Sequence, residues 1–195
     1  LTPPVFALAP HGVLLRIAAG LLVLALGLGS GGAQAQDAGP TRESAVKAAF
    51  LYRFTGFVDW PVGALGAGQP LVIGVLDDES VAADLEHMVQ GRKVQDRPVV
   101  VWRVPSAARA RDAHVLYVGR RNPARLRETL AALPPGPLLV VTDQDEAHPP
   151  GAALNFVQDD GRLRFTASPR AAEARSLRLA ARLLNVAKAV EERTP

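Results

Sequence analysis

Apolar positions in this chain fall into two patterns that alternate. Short apolar-rich runs occur at 71–76, 97–104, 114–118 and 138–141. Each reads as a strand, and the continuous run at 71–76 reads as one buried on both faces, the form taken by strands of a parallel sheet. Between them, apolar residues recur at spacings of three and four. Val81, Leu85 and Met88 mark one helix, opened by the acidic stretch Asp77-Asp78-Glu79-Ser80 and closed by Gly91. Leu126, Leu130 and Leu133 mark another, which starts at Pro123 and is broken by Pro134-Pro135-Gly136-Pro137. Acidic residues and Pro both suit a helix's first turn. A short helical connector is expected over 106–112.

Ahead of these units, Val46, Phe50, Phe54, Phe57 and Val58 form a helical stripe, with Thr41 as a candidate N-cap and Pro61 as the stop. Such an aromatic helix is expected to cover its own sheet, with docking to a partner as the sharper alternative. After the last strand the pattern changes. Residues 153–157 and 162–166 flank Asp160-Gly161 and read as a β-hairpin at a sheet edge. Ala174, Leu177, Ala181, Leu184 and Ala187 then predict a long helix over 170–190. Arg175, Arg178 and Arg182 fall on its other side, as a solvated face or one that meets anionic lipid or an acidic partner. Together these elements predict a single three-layer α/β domain. It has a mainly parallel sheet with helices on both faces, then a C-terminal β-hairpin and a long helix.

The first 35 residues read differently. Arg16 is followed by an apolar run over 17–29, too short to span a bilayer comfortably, and then by Ala33-Gln34-Ala35. This is the pattern of a cleavable export signal, with cleavage expected after Ala35; an uncleaved anchor is the alternative. Residues 36–195 would then be the mature domain, and its location the periplasm. Beyond Ala35 the chain carries 21 basic and 19 acidic side chains, a near balance that offers no footprint for nucleic acid. There is no cysteine, so disulfides and thiol chemistry are excluded.

Candidate chemistry gathers where the parallel strands end, the usual ligand position in open α/β sheets. Asp77 and Asp78 follow the first strand, Arg120 the third, and Asp143 and Asp145 the fourth. These five residues define a candidate cleft for a small ligand, or for a hard cation held by carboxylates. The plainer account is that Asp and Gly suit strand-to-helix turns. A phosphoacceptor receiver domain is excluded, because the strand over 114–118 ends in Gly119 where an acceptor Asp is needed. G-x-S-x-G, H-E-x-x-H, P-loop and dinucleotide spacings are all absent. No catalytic residue, metal site or cofactor is therefore expected, and the chain does not read as an enzyme.

In order along the chain, several segments resemble the YfiR-like family of bacterial periplasmic proteins. They are Lys47-Ala-Ala-Phe-Leu-Tyr-Arg-Phe-Thr-Gly-Phe-Val-Asp-Trp-Pro61, Gly91-Arg-Lys-Val-Gln-Asp-Arg-Pro-Val99, His114-Val-Leu-Tyr-Val118, Leu139-Val-Val-Thr-Asp143, Asn155-Phe156, Gly161-Arg-Leu-Arg-Phe165 and Leu183-Leu184. The resemblance implies regulation. It points to repression of an inner-membrane diguanylate cyclase through that enzyme's periplasmic sensor domain, with lower cyclic-di-GMP and less biofilm. It further implies a homodimer and an outer-membrane-associated partner that releases the repression. Tyr52, Arg53 and Trp60 are the candidate partner contacts. Ala113 stands where the family often has Cys, so no redox control is carried over. Binding of a small molecule in the carboxyl-end cleft is the alternative function.

Overall fold

The computed structural model describes residues 40–191. The expected export signal over 1–35 lies outside the described residues. In chain order the elements are α1 (Pro40–Phe54), β1 (Val58–Asp59), β2 (Leu71–Leu76), α2 (Glu79–Val89), β3 (Lys93–Val94), β4 (Arg97–Arg103) and β5 (Val115–Val118). They continue with α3 (Pro123–Ala131), β6 (Leu139–Asp143), β7 (Leu154–Asp159), β8 (Arg162–Ala167), α4 (Pro169–Glu173), β9 (Arg178–Leu179), α5 (Ala181–Leu184) and β10 (Ala189–Val190).

Eight strands form the central sheet in the order β10-β8-β7-β6-β5-β2-β4-β3. The inner run from β4 through β2, β5 and β6 to β7 is parallel throughout, as the α/β alternation predicts. All four residues of β5 and all five of β6 are buried, which explains the apolar runs Val115–Val118 and Leu139–Val141; the last two residues of β6, Thr142 and Asp143, are buried polar groups. Along β5, Val115 and Tyr117 face one core with Leu51, Phe54 and Leu85 from α1 and α2. Leu116 and Val118 face a second core, with Leu126 from α3 and Ala107 and Ala110 from a short 3-10 helix. This alternation gives the three layers.

The aromatic helix is present but rotated. Its buried side carries Ala48, Leu51 and Phe54, while Val46 is 37% exposed. The cause is aromatic clustering. Phe54 packs its ring against Phe50, Phe156 and Phe165 at centroid distances of 5.1–5.8 Å, which turns the helix toward the hairpin. The helix starts at Pro40, so Thr41 lies inside it and is not the N-cap.

The long helix over 170–190 is replaced by four short elements. Ser168 caps α4 through the Ala171 N–H, and the chain turns out of it at Ser176, whose φ is 58°. Leu179 and Arg178 then pair antiparallel with Val58 and Asp59 in a separate two-stranded sheet. After α5, Ala189 and Val190 pair parallel with Thr166 and Ala167. Of the expected stripe only Leu177 is buried, while Ala174 and Ala181 are exposed; the side chains that reach the core are Leu177, Leu179 and Leu183. The backbone finds partners in β1 and β8 instead of in itself, so tertiary pairing overrides helix propensity. The expected arginine face consequently does not form. Arg175 donates to the Pro134 and Gly136 carbonyls, Arg178 is exposed on β9, and the Arg182 guanidinium lies 4.8 Å from the Phe57 ring centre.

The hairpin forms with its turn at Asp160-Gly161, both at positive φ. It is not the sheet edge, because β10 adds a further strand beyond β8. A second hairpin joins β3 to β4 through Gln95 and Asp96, with φ of 50° and 61°. Two successive positive-φ residues give the tight turn whose twist matches paired strands.

Candidate functional site

The five cleft residues lie at the carboxyl ends of β2, β5 and β6. Asp77 and Asp78 follow Leu76, Arg120 follows Val118 by two residues, and Asp143 closes β6. Close approach of two loops brings them together. A Cβ on Gly119 would sit 2.5 Å from the Asp77 carbonyl oxygen, so only glycine lets the loop after β5 run against the loop after β2. Asp77 itself takes a φ of 60°, and its carboxylate pairs with Arg121. Arg121 also donates to the Thr129 hydroxyl at 2.8 Å, which ties the last turn of α3 to the same loop.

Asp143 is the centre of the arrangement. It is 2% exposed, and its two oxygens serve different cations. The Lys47 ammonium lies 2.7 Å from Oδ2 and the Arg120 guanidinium 3.0 Å from Oδ1. Lys47 comes from α1 and is 6% exposed. It also meets Glu43 one turn back at 2.5 Å. Burial works to lower the Lys47 pKa, but the hydrogen bonds and charges of Asp143 and Glu43 outweigh it and hold the ammonium above its ordinary value. Arg120 also pairs with Asp145, whose carboxyl is held below its ordinary value mainly by that hydrogen bond.

Tyr117 completes the network from inside the sheet. Its hydroxyl donates to Asp78 Oδ2 at 3.1 Å and approaches Asp143 Oδ2 at 3.5 Å. Burial, then the two carboxylates, push the phenol far above its usual range, so it remains a donor. The other Asp78 oxygen caps α2 by accepting from the Val81 N–H. A neighbouring clamp holds the end of β6. Asn155 accepts from the Thr142 hydroxyl and the Gln144 N–H, and donates to the Gln144 carbonyl, at 2.8–3.0 Å.

The structure therefore brings Asp78, Arg120, Asp143 and Asp145 into one network and sets Asp77 beside it through Arg121. Two members, Lys47 and Tyr117, were not among the residues expected from the sequence. Lys47 carried a usable signal, as one of three Lys in a chain with 19 Arg and set on the apolar side of a helix. Tyr117 carried none, because a Tyr in a buried strand reads as core. Chemically the network opposes two cations, Lys47 and Arg120, to the carboxylates of Glu43, Asp143 and Asp145, and links α1, β5 and β6. Among the described residues, no three His, Asp or Glu side chains come together in a way that could hold a metal ion.

The three candidate docking residues lie apart from this network. Tyr52 donates to the Lys93 carbonyl at 3.2 Å, and its ring meets the Arg92 guanidinium at 5.6 Å. Arg53 is exposed. Trp60 is half-buried, with its ring edge-on to His114 at 6.1 Å. A cavity of about 300 Å³ lies between Trp60, Leu65 and Gln95. Tyr52 and Trp60 thus both border the β3–β4 hairpin, at its strand and at its turn.

Fold and site together define a three-layer α/β domain whose polar cleft is braced by its own ion pairs. The chain belongs to the YfiR/HmsC-like family, which it matches over residues 44–188. That family is regulatory and tied to diguanylate cyclase signalling. No curated protein is similar enough to the chain to count as a match.

Proposed function

We propose that this protein acts in the periplasm as a repressor of an inner-membrane diguanylate cyclase, by binding that enzyme's sensor domain. The observation that carries this reading is the family match, which runs from α1 to the segment before β10 and so covers nearly all of the described fold. The charged cleft is in keeping with it. A small ligand entering there would have to displace ion pairs that already satisfy Asp143 and Arg120. Repression then follows from differential affinity, with the protein holding the cyclase in whichever conformation it binds more tightly. Docking is assigned to the surface around the β3–β4 hairpin, where Tyr52, Arg53 and Trp60 are tested first.

Deleting the gene should raise cellular cyclic-di-GMP, and a Tyr52→Ala/Arg53→Ala/Trp60→Ala chain should fail to restore the lower level. Crosslinking in intact cells should capture an inner-membrane cyclase. Unchanged cyclic-di-GMP on deletion, with no membrane partner crosslinked, refutes the proposal.

A further inference from the structure

The opposite end of the sheet carries a groove with a different character. A cavity of about 840 Å³ opens at the amino ends of β6 and β7, between α3, α4 and the Pro134–Pro137 loop. Three arginines line it: Arg127 from α3, Arg170 from α4 and Arg175 just beyond α4. Among the described residues, none of the three forms an ion pair, whereas Arg103, Arg120 and Arg121 all pair with carboxylates. We propose that this groove binds a small organic anion, a carboxylate or phosphate attached to an apolar body. The proposal is independent of the cyclase reading.

Arg175 supports it most directly. The residue is half-buried, and its Nη1 donates to the Pro134 carbonyl at 3.1 Å and the Gly136 carbonyl at 3.3 Å. Those two bonds hold the guanidinium in place, and Nε and Nη2 remain as donors. A cation half-removed from water without a counter-ion is unfavourable, and burial lowers the Arg175 pKa. An incoming anion supplies the missing charge, and the guanidinium fork suits carboxylate and phosphate oxygens. Arg127 and Arg170 are exposed on the same groove and add positive potential at its mouth. Leu130, Pro135 and Ala171 supply the apolar wall, and the volume lies in the range of small-ligand sites. Among the described residues that line the groove, Glu191 is the one carboxylate, and it opposes the ligand's charge.

Nitrogen-15 NMR titration of the protein with benzoate and with phenyl phosphate, at low ionic strength, tests the site. Saturable shifts are expected around Arg127, Gly136, Ala171 and Arg175, and the tighter probe identifies the preferred anion. Arg127→Gln/Arg170→Gln changes two exposed residues and should weaken binding about tenfold, one charge-assisted hydrogen bond's worth. Glu191→Gln should tighten it. Arg175→Gln should abolish it; because this change also frees the Pro134–Pro137 loop, the double variant decides the matter if Arg175→Gln does not fold. Linear, unsaturated shifts spread over the protein's arginines overturn the proposal, as does unchanged affinity in Arg127→Gln/Arg170→Gln.

Discussion

Replacing Lys47 by Met removes one charge and keeps most of the side-chain volume, so the packing contribution to any change is small. What remains is electrostatic. The Asp143 Oδ2 atom loses its ammonium at 2.7 Å and is left with the Tyr117 hydroxyl at 3.5 Å. Breaking a buried ion pair costs about 3–5 kcal/mol when the surviving charge has no other partner. Here Arg120 still pairs with Oδ1 at 3.0 Å, but its side chain is 47% exposed and compensates in part. The expected loss is therefore about 2–4 kcal/mol, or roughly 4–16 °C in melting temperature for a domain of this size. Urea unfolding followed by fluorescence measures it, since the chain's two tryptophans, Trp60 and Trp102, are both half-buried. Adding Asp143→Asn to Lys47→Met removes the stranded charge and should recover part of the loss. A Lys47→Met cost below about 1 kcal/mol, or strict additivity of the two changes, would refute the claim that this pair fastens α1 to the sheet.

Three further outcomes follow from other sites. The His114 Nδ1 accepts from the Val72 N–H, and burial first, with Arg97 adding to it, lowers the His114 pKa from its ordinary 6.5. The folded state thus binds fewer protons than the unfolded one, so stability should be full above pH 6.5 and fall as the pH drops below it; His114→Gln, measured by urea midpoint against pH, should flatten that slope. Gly119→Ala places a methyl group against the Asp77 carbonyl and should cost about 1–3 kcal/mol, with the loops after β2 and β5 pushed apart; an unchanged midpoint would show that the close approach is not required. Phe54→Ala empties the centre of the aromatic cluster and should cost about 3–5 kcal/mol in the same assay.

The sequence made some parts of this molecule legible and hid others for physical reasons. The parallel strands were readable because burial on both faces favours apolar residues, as over Val115–Val118 in β5 and Leu139–Val141 in β6. The cleft's position followed from topology once the strands were placed. Its wiring did not, because Lys47 and Asp143 are 96 residues apart and only the packing of α1 joins them. Residues 170–190 misled most, since no Gly or Pro interrupts them and their composition favours helix. The partners that draw this segment into strands, Val58 and Asp59 in β1 and Thr166 and Ala167 in β8, lie outside it and leave no local signal within it.

That pairing bears on how the chain is made. The short strand after the aromatic helix waits for Leu179, about 120 residues later, and β8 lacks its outer neighbour until Val190 has been synthesised. The domain therefore cannot close progressively from its amino end. Until its last segment emerges, a nascent chain carries two open strand edges, the surfaces on which unfolded chains adhere to one another. A truncation before Arg178 should accumulate as aggregate or as protease fragments.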